Sequence, residues 1–190
     1  MRIGLFGGSF NPPHSGHLHV SREALRRLRL DRLWWLVTPG NPLKDNSELP
    51  SLGERIAAAR SLVGADRRIV ITGLEAGLGT RFTADTIAKL RARAPAARFV
   101  WIMGADNLGD FSRWRGWRDI ARAVPIAAFD RRGGAAKPPS GAAAAYLERF
   151  RLDERGAGLL ASAPAPAFVY LHGPRSPESS THLRGIGKSR

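Results

Sequence analysis

Gly7, Gly8, Ser9, Phe10, Asn11, Pro12, Pro13, His14, Ser15, Gly16 and His17 follow one another near the N-terminus, and their types and spacing suit the handling of a phosphate group. A phosphate oxygen needs backbone N–H donors with no side chain in the way, and paired glycines at a strand end admit that approach. A helix beginning near Ser15 would turn its unpaired N–H groups and the positive end of its dipole toward the same space. Two histidines three apart fall on one side of its first turn. Their imidazole N–H groups could donate to phosphate oxygens where negative charge builds up during phosphoryl or nucleotidyl transfer. The run has neither the Gly-Lys-Ser/Thr of a Walker loop nor the Gly-x-Gly-x-x-Gly dinucleotide fingerprint. Taken singly, each histidine reads more readily as a helix cap or surface residue, and a zinc pair would want further ligands near by.

Such a turn needs a strand before it and a helix after it. Short apolar runs recur at Ile3–Phe6, Leu33–Val37, Ile69–Ile71, Phe99–Met103, Ile126–Phe129 and Phe168–Leu171. Their length, their Val, Ile, Phe and Trp content and their weak alternation suit strands buried on both faces of a parallel sheet. Helical patterns lie between them. One runs from about Gly16 to Leu28, a second opens with Ser51 and Glu54 spaced as a capping box, and a third covers Thr83–Arg93 with Ile87 and Leu90 together. The alternation predicts an α/β fold, a Rossmann-like and mostly parallel sheet sandwiched by helices with right-handed crossovers.

The chain of 190 residues fits one domain spanning 1–190, with a flexible loop at Gly133–Gly141 and a Pro/Ala connection at Ala161–Ala167. No apolar run is long enough for a membrane helix, and the N-terminus enters a strand pattern at once instead of a secretory leader. The chain has no cysteine, which excludes a disulfide framework and thiolate metal sites and agrees with a cytoplasmic location. The formal charge of +14 calls for anionic partners, but arginine supplies 26 of the 30 basic residues in an alanine-rich chain, a pattern that GC-rich coding also produces. With no long Lys/Arg block and no zinc-finger spacing, nucleic acid is not expected as a partner, nor is a membrane. A homo-oligomer is compatible with this composition.

Gly8 to His17 has the form Gly-x-Phe-x-Pro-x-His-x-Gly-His, which resembles the nucleotidyltransferase superfamily with its His-x-Gly-His signature. Ser179, Ser180, Thr181, His182, Leu183 and Arg184 resemble its second signature, Ile-Ser-Ser-Thr-x-Ile-Arg; alone, Ser-Ser-Thr would be a good helix cap. Three internal segments narrow the resemblance to nicotinate-nucleotide adenylyltransferase. Pro39-Gly40-Asn41-Pro42-Leu43-Lys44 is similar to that family's Pro/Asn-rich loop ending in a basic residue. Phe82-Thr83-Ala84-Asp85-Thr86 is similar to its Ser-Tyr-Thr-x-x-Thr segment, with Arg81 and Phe82 in place of Ser and Tyr. Gly104-Ala105-Asp106-Asn107-Leu108, then Phe111 and Trp114, resemble its Gly-x-Asp-x-Leu and Phe-x-x-Trp pair. Singly, Lys44 reads as a solvated loop residue, Thr83 and Asp106 as helix caps and Trp114 as core. Together they fall just past strand ends, where open α/β sheets bind ligands.

The resemblance implies transfer of AMP from ATP to nicotinate mononucleotide, with Mg²⁺ accompanying the ATP and pyrophosphate leaving without a covalent intermediate. By the same resemblance His14 and His17 are catalytic. Gly7, Gly8, Ser9, Phe10, Gly104, Asp106, Arg132, Ser180, Thr181 and Arg184 would serve ATP. Asn41, Lys44, Thr83, Trp114 and Arg115 would serve the acceptor, and no protein metal ligand is expected. Two alternatives stand beside this: an adenylyltransferase for another phosphorylated acceptor, such as nicotinamide mononucleotide or phosphopantetheine, and a basic nucleic-acid-binding α/β domain in which both histidines serve the fold.

Overall fold

The computed structural model describes residues 1–40, 45–130 and 141–173. Among these, strands β1 (Arg2–Gly8), β2 (Arg32–Val37), β3 (Ile69–Thr72), β4 (Arg98–Gly104), β5 (Ile126–Asp130) and β6 (Phe168–His172) form one sheet in the order β3-β2-β1-β4-β5-β6. Every neighbouring pair is parallel. The expected strands thus appear, each longer by a residue or two at one or both ends.

Weak alternation in the sequence has a direct cause, because both faces of the sheet are covered. β4 sends Val100 and Ile102 to one face and Phe99, Trp101 and Met103 to the other. On the first face lie α1 (Ser15–Arg27), α2 (Leu52–Val63) and a 3-10 segment at Glu154–Ser162, which contribute Val20, Ala24, Leu25, Ala59, Val63 and Leu160. The opposite face is covered by α4 (Thr83–Arg93), α5 (Ala105–Asp110), α6 (Trp117–Ala123) and α7 (Ala142–Glu148), through Ile87, Leu90, Leu108, Ile120 and Leu147. A single turn, α3 (Leu74–Leu78), follows β3. Among the described residues no helix is long and apolar enough to cross a membrane.

The capping box holds where the sequence placed it, whereas Thr83 and Asp106, which taken singly read as caps, lie inside the first turns of α4 and α5, behind Phe82 and Gly104. Ser51 caps α2, its hydroxyl accepting from the Glu54 N–H at 3.2 Å while Glu54 Oε2 accepts from the Ser51 N–H at 2.8 Å. The short elements α3, α5, α6 and α7 were not anticipated, since five to seven residues give too few turns for a 3.6-residue period to show. The Glu154–Ser162 segment takes the first two residues of the expected Pro/Ala connection. Most of the expected loop at Gly133–Gly141 lies outside the described residues, and Gly141 is the residue before α7.

Candidate active site

The strand order places a topological switch point between β1 and β4. The chain leaving β1 crosses toward β2, whereas the chain leaving β4 crosses toward β5, so the connections diverge and open a crevice at the strands' carboxyl ends. The two strands pair in register from Arg2↔Arg98 to Phe6↔Ile102, and each then runs two residues further to end in glycine, Gly8 and Gly104. The two most telling sequence motifs therefore face each other across that crevice.

On the β1 side, His14 is the capping residue of α1 and His17 stands in its first turn. The His14 N–H donates to His17 Nδ1 at 3.2 Å, and the two rings lie 3.8 Å apart between centroids. Because Nδ1 accepts, the neutral His17 ring carries its proton on Nε2, so that nitrogen is a donor. The cap reading of these histidines and the ligand reading are thus compatible in one geometry. The first turn of α1 holds no acidic side chain, so no carboxylate of that turn competes with an anion for the dipole.

Packing beneath the turn is aromatic. Phe10 is buried, has φ +47°, and stacks on Trp35 at 4.5 Å with an interplanar angle of 7°; its ring also lies 4.9 Å from that of His17. Trp35 Nε1 donates to Ser21 Oγ at 2.7 Å, and Ser21 Oγ donates to the His17 carbonyl at 2.8 Å, tying β2 to α1. Gly7 and Gly8 differ in what they make room for. A Cβ on Gly7 would lie 2.5 Å from the Trp101 ring, whereas one on Gly8 would meet the edge of Phe10 at 3.4 Å.

On the β4 side, Gly104 ends its strand and precedes α5, whose exposed Asp106 sits in the first turn. Of the sequence-predicted acceptor residues, Thr83 and Arg115 come together at the start of α4, and Trp114 precedes Arg115 in the chain. Thr83 is the first residue of α4, and Phe82 before it gives no side-chain cap, so the opening N–H groups of the helix have no side-chain acceptor from that position. The Arg115 guanidinium lies 4.5 Å from the Phe82 ring centroid and 3.9 Å from Asp85 Oδ2. Trp114 is half-buried and meets the Trp101 ring edge-on at 6.1 Å. Trp101 in turn lies beneath Gly7, so one ring links the two sides of the crevice. Asn41, Lys44, Arg132, Ser180, Thr181 and Arg184 lie outside the described residues.

Sequence reasoning missed a buried polar cluster beside this site. Glu75 of α3 is buried; the Thr86 hydroxyl is 3.2 Å from its Oε1 and 2.8 Å from Thr80 Oγ1. Burial pushes the Glu75 carboxyl above its ordinary value of 4.5, offset in part by hydrogen bonds from Thr86 and Thr38. The raised folded-state pKa contributes stability that is fully present below 4.5 and lost as pH rises through the folded value. Glu75→Gln, which keeps a neutral group of the same shape, is expected to remove that loss. The stability difference between variant and unmodified protein should therefore grow in the variant's favour from about pH 4 to about pH 8 in thermal unfolding. A difference flat with pH would mean that no proton is held there.

The chain matches the cytidylyltransferase-like family over residues 5–186. It is 59% identical over 184 residues to a probable nicotinate-nucleotide adenylyltransferase of Methylorubrum extorquens, covering 97% of this chain and 99% of that one. It is 56% identical over 188 residues to a probable nicotinate-nucleotide adenylyltransferase of Agrobacterium fabrum, covering 99% and 100%. Among solved structures, the fold is similar to that of Plasmodium falciparum nicotinic acid mononucleotide adenylyltransferase complexed with NaAD, with a TM-score of 0.70 at 17% identity, covering 97% of this chain and 82% of that one. From the family match and the near full-length relatives, the chain belongs to the cytidylyltransferase-like nucleotidyltransferases and, within them, to the nicotinate-nucleotide adenylyltransferases.

Proposed function

We propose that this protein transfers the AMP part of ATP to the 5′-phosphate of nicotinate mononucleotide, giving nicotinate adenine dinucleotide and pyrophosphate, a step in NAD biosynthesis. One observation carries the proposal: the histidine-bearing turn after β1 and the glycine end of β4 meet at the switch point of a chain that shares 59% identity with a relative of that name. A phosphate oxygen of the acceptor attacks the α-phosphorus in line, the new P–O bond forms, and the bond to pyrophosphate breaks. The attacking phosphate is already ionised near neutral pH, so the protein supplies alignment and charge stabilisation and no general base is needed. His17 through Nε2–H, His14, and the backbone around Gly7–Phe10 are assigned to the ATP phosphates, with Gly104 and Asp106 toward the nucleoside. Ser180, Thr181, Arg184 and Arg132 are assigned to the ATP phosphates as well, on the sequence resemblance.

Among the described residues no group of three or more His, Asp or Glu side chains is arranged to hold a metal ion. On the family resemblance, the Mg²⁺ of the reaction is assigned to the nucleotide, arriving on its phosphates and neutralising part of their charge. A compartment supplying Mg-ATP and the mononucleotide is required, in keeping with the cytoplasm. Supplying Mg-ATP with a panel of phosphorylated acceptors and following pyrophosphate release tests reaction class and acceptor together. Release with phosphopantetheine but not with pyridine mononucleotides would overturn the assignment.

Acceptor selectivity is assigned to Asn41, Lys44, Thr83, Trp114 and Arg115. The N–H groups opening α4, and those that follow Trp114, suit the carboxylate of nicotinate, whereas an amide brings donors that such a site leaves unsatisfied. We expect kcat/KM for nicotinate mononucleotide to exceed that for the amide; equal values would defeat the acid-selective assignment without touching adenylyl transfer. Trp114→Ala should raise KM by roughly tenfold for either pyridine, the scale of a lost aromatic contact, while KM for ATP stays near its original value.

A further inference from the structure

A buried arginine joins the ends of β1 and β2 and has no part in the roles assigned above. Arg55, in the first turn of α2, is 3% exposed. Its Nη1 donates to the Ser9 carbonyl at 2.8 Å and to the Thr38 carbonyl at 2.8 Å. Its Nε donates to the Pro50 carbonyl at 2.9 Å, and Nη2 to the Pro39 carbonyl at 3.3 Å. Among the described residues no carboxylate pairs with it, so four backbone oxygens are what compensates a charge taken out of water.

The segments it joins are informative. Ser9 belongs to the turn that leads to His14, and Thr38 and Pro39 continue β2 at the neighbouring strand end. β2 lies beside β1, with Gly8 opposite Val37, and the Thr38 N–H donates to the Gly8 carbonyl at 3.0 Å. A planar fork with fixed donor directions sets the spacing between those strand exits, which a flexible or apolar side chain of similar volume would fill without fixing.

We propose that Arg55 is a positioning residue for adenylyl transfer: by clamping the turn after β1 to the chain leaving β2, it holds the ATP phosphates and the incoming acceptor in line. The inference rests on the adenylyltransferase reading. Each substrate keeps its own contacts when the clamp is lost, so binding survives while alignment between the two suffers. Misplacement by about 1 Å costs on the order of a hundredfold in rate.

Arg55→Gln and Arg55→Lys, assayed as full-length protein with Mg-ATP and nicotinate mononucleotide, test this. In Arg55→Gln, kcat is expected to fall on the order of ten- to hundredfold, with both KM values changed much less. Arg55→Lys keeps the charge and can reach some of the carbonyls with its three donors, so it should recover part of the loss. Thermal unfolding is followed in parallel, because a merely structural role lowers Tm and leaves kcat per folded molecule and the KM values intact. Should Arg55→Gln fail to fold, the lysine variant carries the comparison. A folded variant with unmodified kcat overturns the inference alone. Failure of the unmodified protein to release pyrophosphate with any acceptor removes the adenylyltransferase reading and this inference with it.

Discussion

Turnover of the His17→Ala protein is expected to fall by about a hundredfold or more, the scale of removing a donor aimed at charge that develops in a transition state. The fold should tolerate the change. His17 is only half-buried, and the bond it accepts from the His14 N–H is worth about 1 kcal/mol. Steady-state kinetics beside thermal unfolding separates the two effects. His19, two residues on, is the internal control: His19→Ala should keep turnover near that of the unmodified protein. If folded His17→Ala turned over every acceptor as well as the unmodified protein does, the histidine pair would be a helix cap and nothing more.

The largest stability effect is expected at Phe10. Its ring fills the space between Trp35, Phe6 and His17, at 4.5 Å, 5.7 Å and 4.9 Å between centroids. Phe10→Ala leaves that space empty and should cost about 3–5 kcal/mol in urea unfolding. Alanine meets the same left-handed backbone at this position that Phe10 does, so the loss reports packing and not conformational strain. Activity should fall as well at temperatures where the variant is folded, because His17 loses one wall of its pocket. A loss below about 1 kcal/mol would show that the turn collapses onto Trp35 and that the ring is not its floor.

Much of this architecture is legible in the sequence because the signals are local. Apolar runs bounded by helical patterns set the six strands, and the Ser51–Glu54 spacing set the start of α2. The turn at Gly7–His17 is legible for the same reason, since strand end, glycines and helix start are contiguous. What escaped depends on partners far away along the chain. Arg55 reaches Ser9 across 46 residues, and Glu75 and Thr86 are 11 apart on different helices. Neither spacing has a periodicity, and Arg55 reads as one more basic residue in an arginine-rich chain. His14 is legible as a cap because it stands just before the expected helix start, and the structure places it there.

The closeness of Gly7 to Trp101 binds two positions that look independent on paper. The ring beneath the strand demands a missing side chain above it, with only 2.5 Å available to a methyl group. Glycine there is therefore required by what lies under the sheet surface, whatever approaches the turn from the crevice. The two sites drift together or not at all: alanine at position 7 is admissible only once position 101 has shrunk, and shrinking position 101 withdraws the edge against which Trp114 rests. A mutational path through this corner of the protein has an order, and the first step is on the buried side.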